Sequence, residues 1–382
     1  MLNVYKFELF QSFITGLENL GKGILVSRIT SGDGSALIYG IKIEKSNALP
    51  VFQFFSASSS NNKSEEKKEI DLDLERHNSL LNFLGNHPLV KKITLPPIVT
   101  QSATVSDVWK KGDSYEVPGV HMDETYPKIC IVDGGVSNIY GDWIEDRWGL
   151  ISPADKNENH GTFIAGLAIL GQTLNGKAIC REIDGCRIID LDILPKADRY
   201  DTYFSKAMEF FSELENAVQE LKARTGVRIF NFSLNIEEHV STSGYSLPAQ
   251  ILDKIAEEND VIFVISAGNT HPRDIRKEWP EDHFDALKTL ASSRNDVIKK
   301  PAESCRNISV TALNPPDMDG IVPYALSNYS CRGPGLRVGL KPDLAHVGGS
   351  GTAHPTLGHG LLSLNTEGSV VDGCGTSYAA PN

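Results

Sequence analysis

Four short stretches carry side chains capable of nucleophilic chemistry. The decapeptide Gly373-Cys374-Gly375-Thr376-Ser377-Tyr378-Ala379-Ala380-Pro381-Asn382 sets a serine between a small-residue turn and a helix-prone run. Glycines let the backbone turn tightly and keep bulk away from the hydroxyl. A helix start adds unpaired N–H groups and a positive field that favour developing negative charge. Ile131-Val132-Asp133-Gly134-Gly135 puts a carboxylate directly after an apolar strand. Asn159-His160-Gly161-Thr162-Phe163-Ile164-Ala165-Gly166 puts an imidazole at the start of a helix packed through small residues. Ile265-Ser266-Ala267-Gly268-Asn269 ends a buried strand in a side-chain amide. Each stretch has a plain structural alternative: Asp133 and Asn269 as turn formers, His160 as a cap or core-edge histidine, and the last stretch as an ordinary small-residue turn. Together, Asp, His and Ser in this chain order match one of the orders in which the serine triad occurs.

The elements that must position these residues begin at residue 127, where apolar strand-like runs alternate with helix-like segments. Strands are expected at 128–132, 187–194, 227–234, 261–265 and 307–313. Helices are expected at 160–170, at 203–222 on the one-face spacing of Phe204, Ala207, Met208, Phe211, Leu214, Val218 and Leu221, and at 247–258 behind Ser246 as N-cap. Near-continuous apolar strands between helices predict a parallel α/β sheet covered on both faces. Sites in such sheets form beyond the carboxyl ends of the strands, where Asp133 and Asn269 fall.

Residues 1–97 read differently. Strands are expected around 23–26, 36–43 and 50–55, with a turn at Ser31-Gly32-Asp33-Gly34-Ser35. The polar stretch 56–77 reads as a solvated loop entering a helix that Gly85 stops. A short strand is expected at 89–95, closed by Pro96-Pro97. Residues 98–126 show no sustained period and read as a linker.

The segment 127–382 resembles the subtilisin-like serine proteases, the subtilase family. The resemblance rests on Val132-Asp133-Gly134-Gly135, His160-Gly161-Thr162-Phe163-Ile164-Ala165-Gly166, Ala267-Gly268-Asn269 and Gly375-Thr376-Ser377-Tyr378-Ala379-Ala380-Pro381. Weaker matches are Pro301-Ala302-Glu303, 307–312, Leu326-Ser327-Asn328-Tyr329-Ser330 and Lys341-Pro342-Asp343-Leu344-Ala345. It implies the subtilisin-like parallel sheet and a serine endopeptidase acting through an acyl-enzyme. In it Ser377 is the nucleophile, His160 the general base, Asp133 its orienting carboxylate and Asn269 an oxyanion donor. Phe230-Asn231-Phe232-Ser233-Leu234-Asn235 resembles the strand that pairs with extended substrate. Ser233, Leu234 and Asn235 would form one wall of the primary pocket, and Ser266, Ala267 and Gly268 the other. Asn235 stands where the family usually has glycine, so the pocket should be narrow. As plain strand residues, Ser233 and Leu234 would do no more than pair.

The resemblance also implies that the catalytic fold is truncated. In the family the serine opens a long helix followed by further chain, whereas five residues follow Ser377 here. An inactive or truncated relative acting as a binding or regulatory module is therefore the competing expectation. Residues 1–97 are expected to be a structural accessory domain, with a propeptide-like unit as the alternative.

Composition limits the partners. With 37 basic and 49 acidic residues among 382, the net charge of −12 leaves no basic surplus for nucleic acid. No signal-peptide pattern opens the chain, and no run approaches a membrane span. The six cysteines lack zinc or disulfide-framework spacing and read as reduced, mostly buried thiols. We therefore expect a cytoplasmic enzyme with a protein or peptide substrate, no cofactor and no metal site. The sequence does not define an oligomeric state.

Overall fold

The structure, a computed structural model, describes residues 2–29, 38–53, 69–101, 114–121, 123–204, 208–293, 295–316, 318–335, 339–350 and 360–381. It divides into two compact units, Met1–Pro97 with Lys206–Met208, and Ile98–Ser205 with Glu209–Asn382.

In the smaller unit, α1 (Leu2–Asn19) precedes β1 (Ile24–Ile29), β2 (Ile38–Ile43), β3 (Val51–Gln53) and α2 (Leu74–Asn86). The sheet order is β2-β1-β3, antiparallel on one side of β1 and parallel on the other. Leu17, Ile24, Val26, Ile43, Leu80 and Leu84 form its core. The helix α1 was not expected from the sequence. Asp73 caps α2 by accepting from Glu75 N at 2.9 Å. Gly85 lies inside α2, which runs on to Asn86 and ends at His87 before Pro88. Proline disfavours helical backbone in the residue before it, so it stops the helix where Gly85 does not. No strand forms at 89–95. The expected turn at 31–35, and the polar stretch up to residue 68, lie outside the described residues.

The larger unit holds β4 (Val99–Gln101), β5 (Lys128–Asp133), β6 (Ile144–Gly149), α3 (Asn159–Asn175), β7 (Arg187–Asp192), α4 (Tyr200–Tyr203), α5 (Glu209–Thr225), β8 (Ile229–Phe232) and β9 (Leu234–His239). It continues through α6 (Leu247–Asn259), β10 (Ile262–Ser266), α7 (His283–Ser292), β11 (Lys299–Lys300), β12 (Ile308–Leu313), β13 (Leu344–Val347), β14 (Leu361–Leu364), β15 (Val370–Gly373) and α8 (Thr376–Ala379). Seven strands form one sheet in the order β13-β12-β10-β8-β5-β7-β6, and every pairing in it is parallel. The expected parallel α/β architecture is therefore present. Ile131 is in register with Asn231, so these two share a face while Phe230 and Phe232 take the other. Ile129 and Ile131 pack in one cluster with α3, the β14–β15 hairpin and Tyr378. On the opposite face Phe232 meets Phe210 of α5 at a ring separation of 6.4 Å.

Three expectations shift. The helix expected at 203–222 is two helices, since α4 is capped at Phe204 (φ −124°, ψ 71°) and α5 starts after Met208 at φ 68°; Ala207 lies outside the described residues. The strand expected at 227–234 ends at Phe232, and a second strand, β9, starts at Leu234 and joins a different sheet, β11-β9-β4. The stretch 98–126, read as a linker, contributes β4, which pairs antiparallel with β9. Ser246 caps α6 as expected, accepting from Ala249 N at 3.3 Å. None of the six cysteines forms a disulfide among the described residues; five are buried and Cys305 is exposed.

Candidate active site

Asp133 is the last residue of β5, at the carboxyl edge of the sheet. The turn that follows is tight because α3 starts directly against it. A side chain on Gly161 would place its Cβ 2.4 Å from the Gly135 carbonyl, so only glycine lets the helix approach. That approach delivers His160, the second residue of α3, onto Asp133: Nδ1 lies 2.6 Å from Oδ2, with both side chains buried. The other carboxylate oxygen accepts from Gly134 N at 2.8 Å and from Gln101 Nε2 at 2.9 Å. With Nδ1 as donor to the carboxylate, the ring is the tautomer whose Nε2 accepts. Nε2 is buried and has no hydrogen-bond partner among the described residues.

Ser377 enters on α8. Tyr378 anchors that short helix by stacking 4.2 Å from Phe163 and 5.5 Å from His160, measured between ring centroids. Gly373 permits this, since a Cβ there would meet Tyr378 at 2.7 Å. The hydroxyl of Ser377 donates to the Ser233 carbonyl at 3.3 Å, and Ser233 Oγ donates back to the Ser377 carbonyl at 2.9 Å. Asn231 Nδ2 in turn donates to Ser233 Oγ at 2.9 Å. Ser377 is thus brought to the same sheet edge but is bonded to Ser233, not to His160.

Asn269 follows β10 in the turn Ala267-Gly268-Asn269, where Gly268 has φ 99°. Its Oδ1 accepts from Thr376 N and from Thr376 Oγ1, each at 3.0 Å. A backbone N–H can only donate, so the amide orientation is fixed and Nδ2 is left beside the serine turn, 3.4 Å from where a Cβ on Gly375 would sit. Thr270 N donates to the Tyr329 carbonyl at 2.7 Å, tying this turn to the Leu326-Ser327-Asn328-Tyr329-Ser330 stretch.

The predicted substrate wall is occupied. Leu234, Asn235 and Ile236 pair with Gln101, Thr100 and Val99 of β4. Asn235 is buried, and its Nδ2 donates to the Ser266 carbonyl at 2.9 Å while Ser266 Oγ donates to its Oδ1 at 3.2 Å. The opposite wall is held from behind: Lys299 N donates to Ala267 O at 3.0 Å, and Gly268 N donates to Thr376 Oγ1 at 3.2 Å. Lys299 is itself buried, with Nζ 2.6 Å from Glu237 Oε2.

Further carboxylates flank this edge on β7. Burial pushes Asp190 up to about 7, against the opposing pull of the Arg147 guanidinium 2.5 Å away. Burial also raises Asp192, whose partner Lys156 lies at 2.5 Å. Gln101 is the contact that sequence reasoning missed. Its only local signal is the β-branched run Ile98-Val99-Thr100, which favours strand.

The family model described as the subtilase family matches residues 126–382. An uncharacterized protein of Sinorhizobium fredii, y4bN, is 31% identical over 202 residues, covering 44% of this chain and 45% of that one. The chain thus aligns with less than half the length of the curated relative it matches. Among solved structures, a cold adapted subtilisin-like serine proteinase covers 70% of this chain and 78% of its own at 16% identity, with a TM-score of 0.38. The patellamide maturation protease PatA covers 67% and 74% at 19% identity and 0.40. The epidermin leader peptide processing serine protease EpiP of Staphylococcus aureus covers 68% and 63% at 17% identity and 0.41.

Proposed function

The chain belongs to the subtilase family of serine proteases, and from that premise we propose that it is a serine endopeptidase whose catalytic triad is Asp133, His160 and Ser377. The buried 2.6 Å contact between His160 Nδ1 and Asp133 Oδ2, with Nε2 unpartnered among the described residues, is the observation that carries the reading. Asp133 fixes the tautomer and stabilises the imidazolium; its own second oxygen is already bonded by Gly134 N and Gln101 and cannot swing away.

Turning about its Cα–Cβ bond, Ser377 exchanges the Ser233 carbonyl for His160 Nε2. Its oxygen then attacks a peptide carbonyl while Nε2 takes the proton. The carbonyl oxygen becomes an anion beside Asn269 Nδ2 and the backbone N–H of Ser377, donors that act where charge develops. Collapse transfers the proton from Nε2 to the leaving amine and leaves an acyl group on Ser377. Water, deprotonated by the same nitrogen, releases it as a carboxylic acid.

A cytoplasmic setting is part of the proposal. The absence of disulfides among the described residues agrees with a reducing compartment, and no described helix is long and apolar enough to cross a membrane. Residues 1–97 are proposed as an accessory domain; an intact mass placing the purified N-terminus between residues 97 and 126 would make them a removed prosegment.

A fluorophosphonate probe should label the folded chain, and Ser377→Ala should abolish labelling. Wild-type labelling of the variant would place the nucleophile elsewhere. The second reading, a binding or regulatory module without catalysis, draws on the Ser377 hydroxyl being bonded to Ser233 and on the β9 edge being paired with β4. A folded chain that the probe does not label would establish it.

A further inference from the structure

Resting on the reading that Ser377 is the nucleophile, we infer that Asn235, clamped to Ser266, closes the pocket for the residue on the acyl side of the cleaved bond, so that only glycine, alanine or serine fits there.

The register of β4 on β9 shows how an extended chain lies along this edge. Val99 faces Ile236, Thr100 faces Asn235 and Gln101 faces Leu234, running antiparallel. A peptide in that register, one residue longer, would face Ser233, whose carbonyl is 3.3 Å from Ser377 Oγ. That residue is therefore the one whose carbonyl Ser377 reaches. Opposed residues in an antiparallel pair share a face, and so do residues two apart along a strand. Ser233 directly precedes β9, and the alternation of β9 carried one residue back to it places the side chain of the facing peptide residue on the face that carries the Asn235 side chain.

That face is filled. The Asn235 amide donates to the Ser266 carbonyl at 2.9 Å and accepts from the Ser266 hydroxyl at 3.2 Å. Both residues are fully buried. Swinging the amide aside would break both bonds and desolvated polar groups would lose their partners, which folded proteins avoid. The clamp also joins the two walls, from the strand that would pair with peptide to β10, whose following turn carries Asn269. The far side is closed by the Lys299 stem: a Cβ on Gly268 would lie 2.9 Å from Lys299 Cγ and 3.0 Å from its Cβ and Cδ. Lys299 is pinned in turn by its ion pair with Glu237 at 2.6 Å. A branched or aromatic side chain has nowhere to go unless the clamp opens.

The test uses N-acetyl aminoalkyl phosphonate diphenyl esters bearing the side chain of alanine or of phenylalanine, beside a fluorophosphonate that carries no residue. Such one-residue probes do not need to displace β4. The alanine probe should inactivate wild type at least about 30-fold faster than the phenylalanine probe, the scale at which pocket size discriminates. Asn235→Gly should shrink or reverse that ratio, and Ser266→Ala, which removes one arm of the clamp, should move it the same way. Equal or faster reaction of the phenylalanine probe overturns the inference, as does fluorophosphonate labelling without reaction of either residue-bearing probe. Failure of the fluorophosphonate itself removes the protease reading, and the inference with it.

Discussion

His160 has its Nδ1 on Asp133 and its Nε2 unpartnered among the described residues, whereas Ser377 has its hydroxyl on the carbonyl of Ser233. The first pair is set by a strand end and a helix start that share one core cluster, with Gly161 allowing their close approach, since a Cβ there would lie 2.4 Å from the Gly135 carbonyl. The second hangs on a helix of four residues, held by Thr376 on Asn269 and by Tyr378 on Phe163. At 3.3 Å the Ser377 bond is longer than the usual hydroxyl hydrogen bond. A rotamer change releases it at small cost. The contact of His160 is thus built into the fold, whereas that of Ser377 rests on a single side-chain torsion.

Variants at the two halves would test that contrast. Asp133→Asn should cost about 10⁴ in kcat, because the amide donates where the carboxylate accepts and imposes the wrong tautomer on His160. A loss under tenfold would mean His160 is not oriented by this contact. Asn269→Ala should cost about 10²–10³ in kcat with KM little changed, a range that is the subtilisins' own rather than one obtained on this chain. If a thermal melt shows the variant unfolded, the Thr376 anchor matters more than the donor.

Thr100→Pro should lower KM for a peptide substrate, on the order of tenfold, because proline weakens the strand that occupies β9. A raised KM would show that β4 supports the site instead of competing for it. The smallest effect is expected at Asp190, held up to about 7 by burial. A carboxyl raised above its unfolded value binds its proton more tightly when folded, so stability falls as pH rises from about 4 to about 7. Asp190→Asn should gain on wild type in Tm progressively as pH rises across that window. A constant difference would mean that Arg147 keeps the carboxylate charged throughout.

The sheet was legible because parallel strands buried on both faces read as continuous apolar runs, as at Ile129-Cys130-Ile131-Val132. The polar Ile144–Gly149 strand lies at the sheet edge and carries no such run, so it was not seen. The split at Met208 was hidden because its apolar spacing continues through the break, and a positive φ at methionine has no composition signal. At the site, the residues proposed as the triad stood out through their neighbours: glycines after Asp133 and His160, and around Ser377. Gln101 did not, since its contact with Asp133 spans 32 positions and lies outside the stretch matched by the family. The hydroxyl direction of Ser377 is a rotamer choice, and no residue pattern specifies one.

The pairing of β4 with β9 has a bearing on which polypeptides could be cut. A peptide binding along β9 would not meet bare backbone groups; it would exchange with three residues that already satisfy them. The gain on binding is therefore a difference between two strands and not the whole value of one. Because the incumbent is tethered, its local concentration does not fall on dilution, and for a short flexible link it is of millimolar order. Dilute or folded proteins would lose that exchange, and an abundant, already extended segment would win it. The enzyme's selectivity would then depend on how readily a protein yields a free strand as much as on the residues flanking the bond.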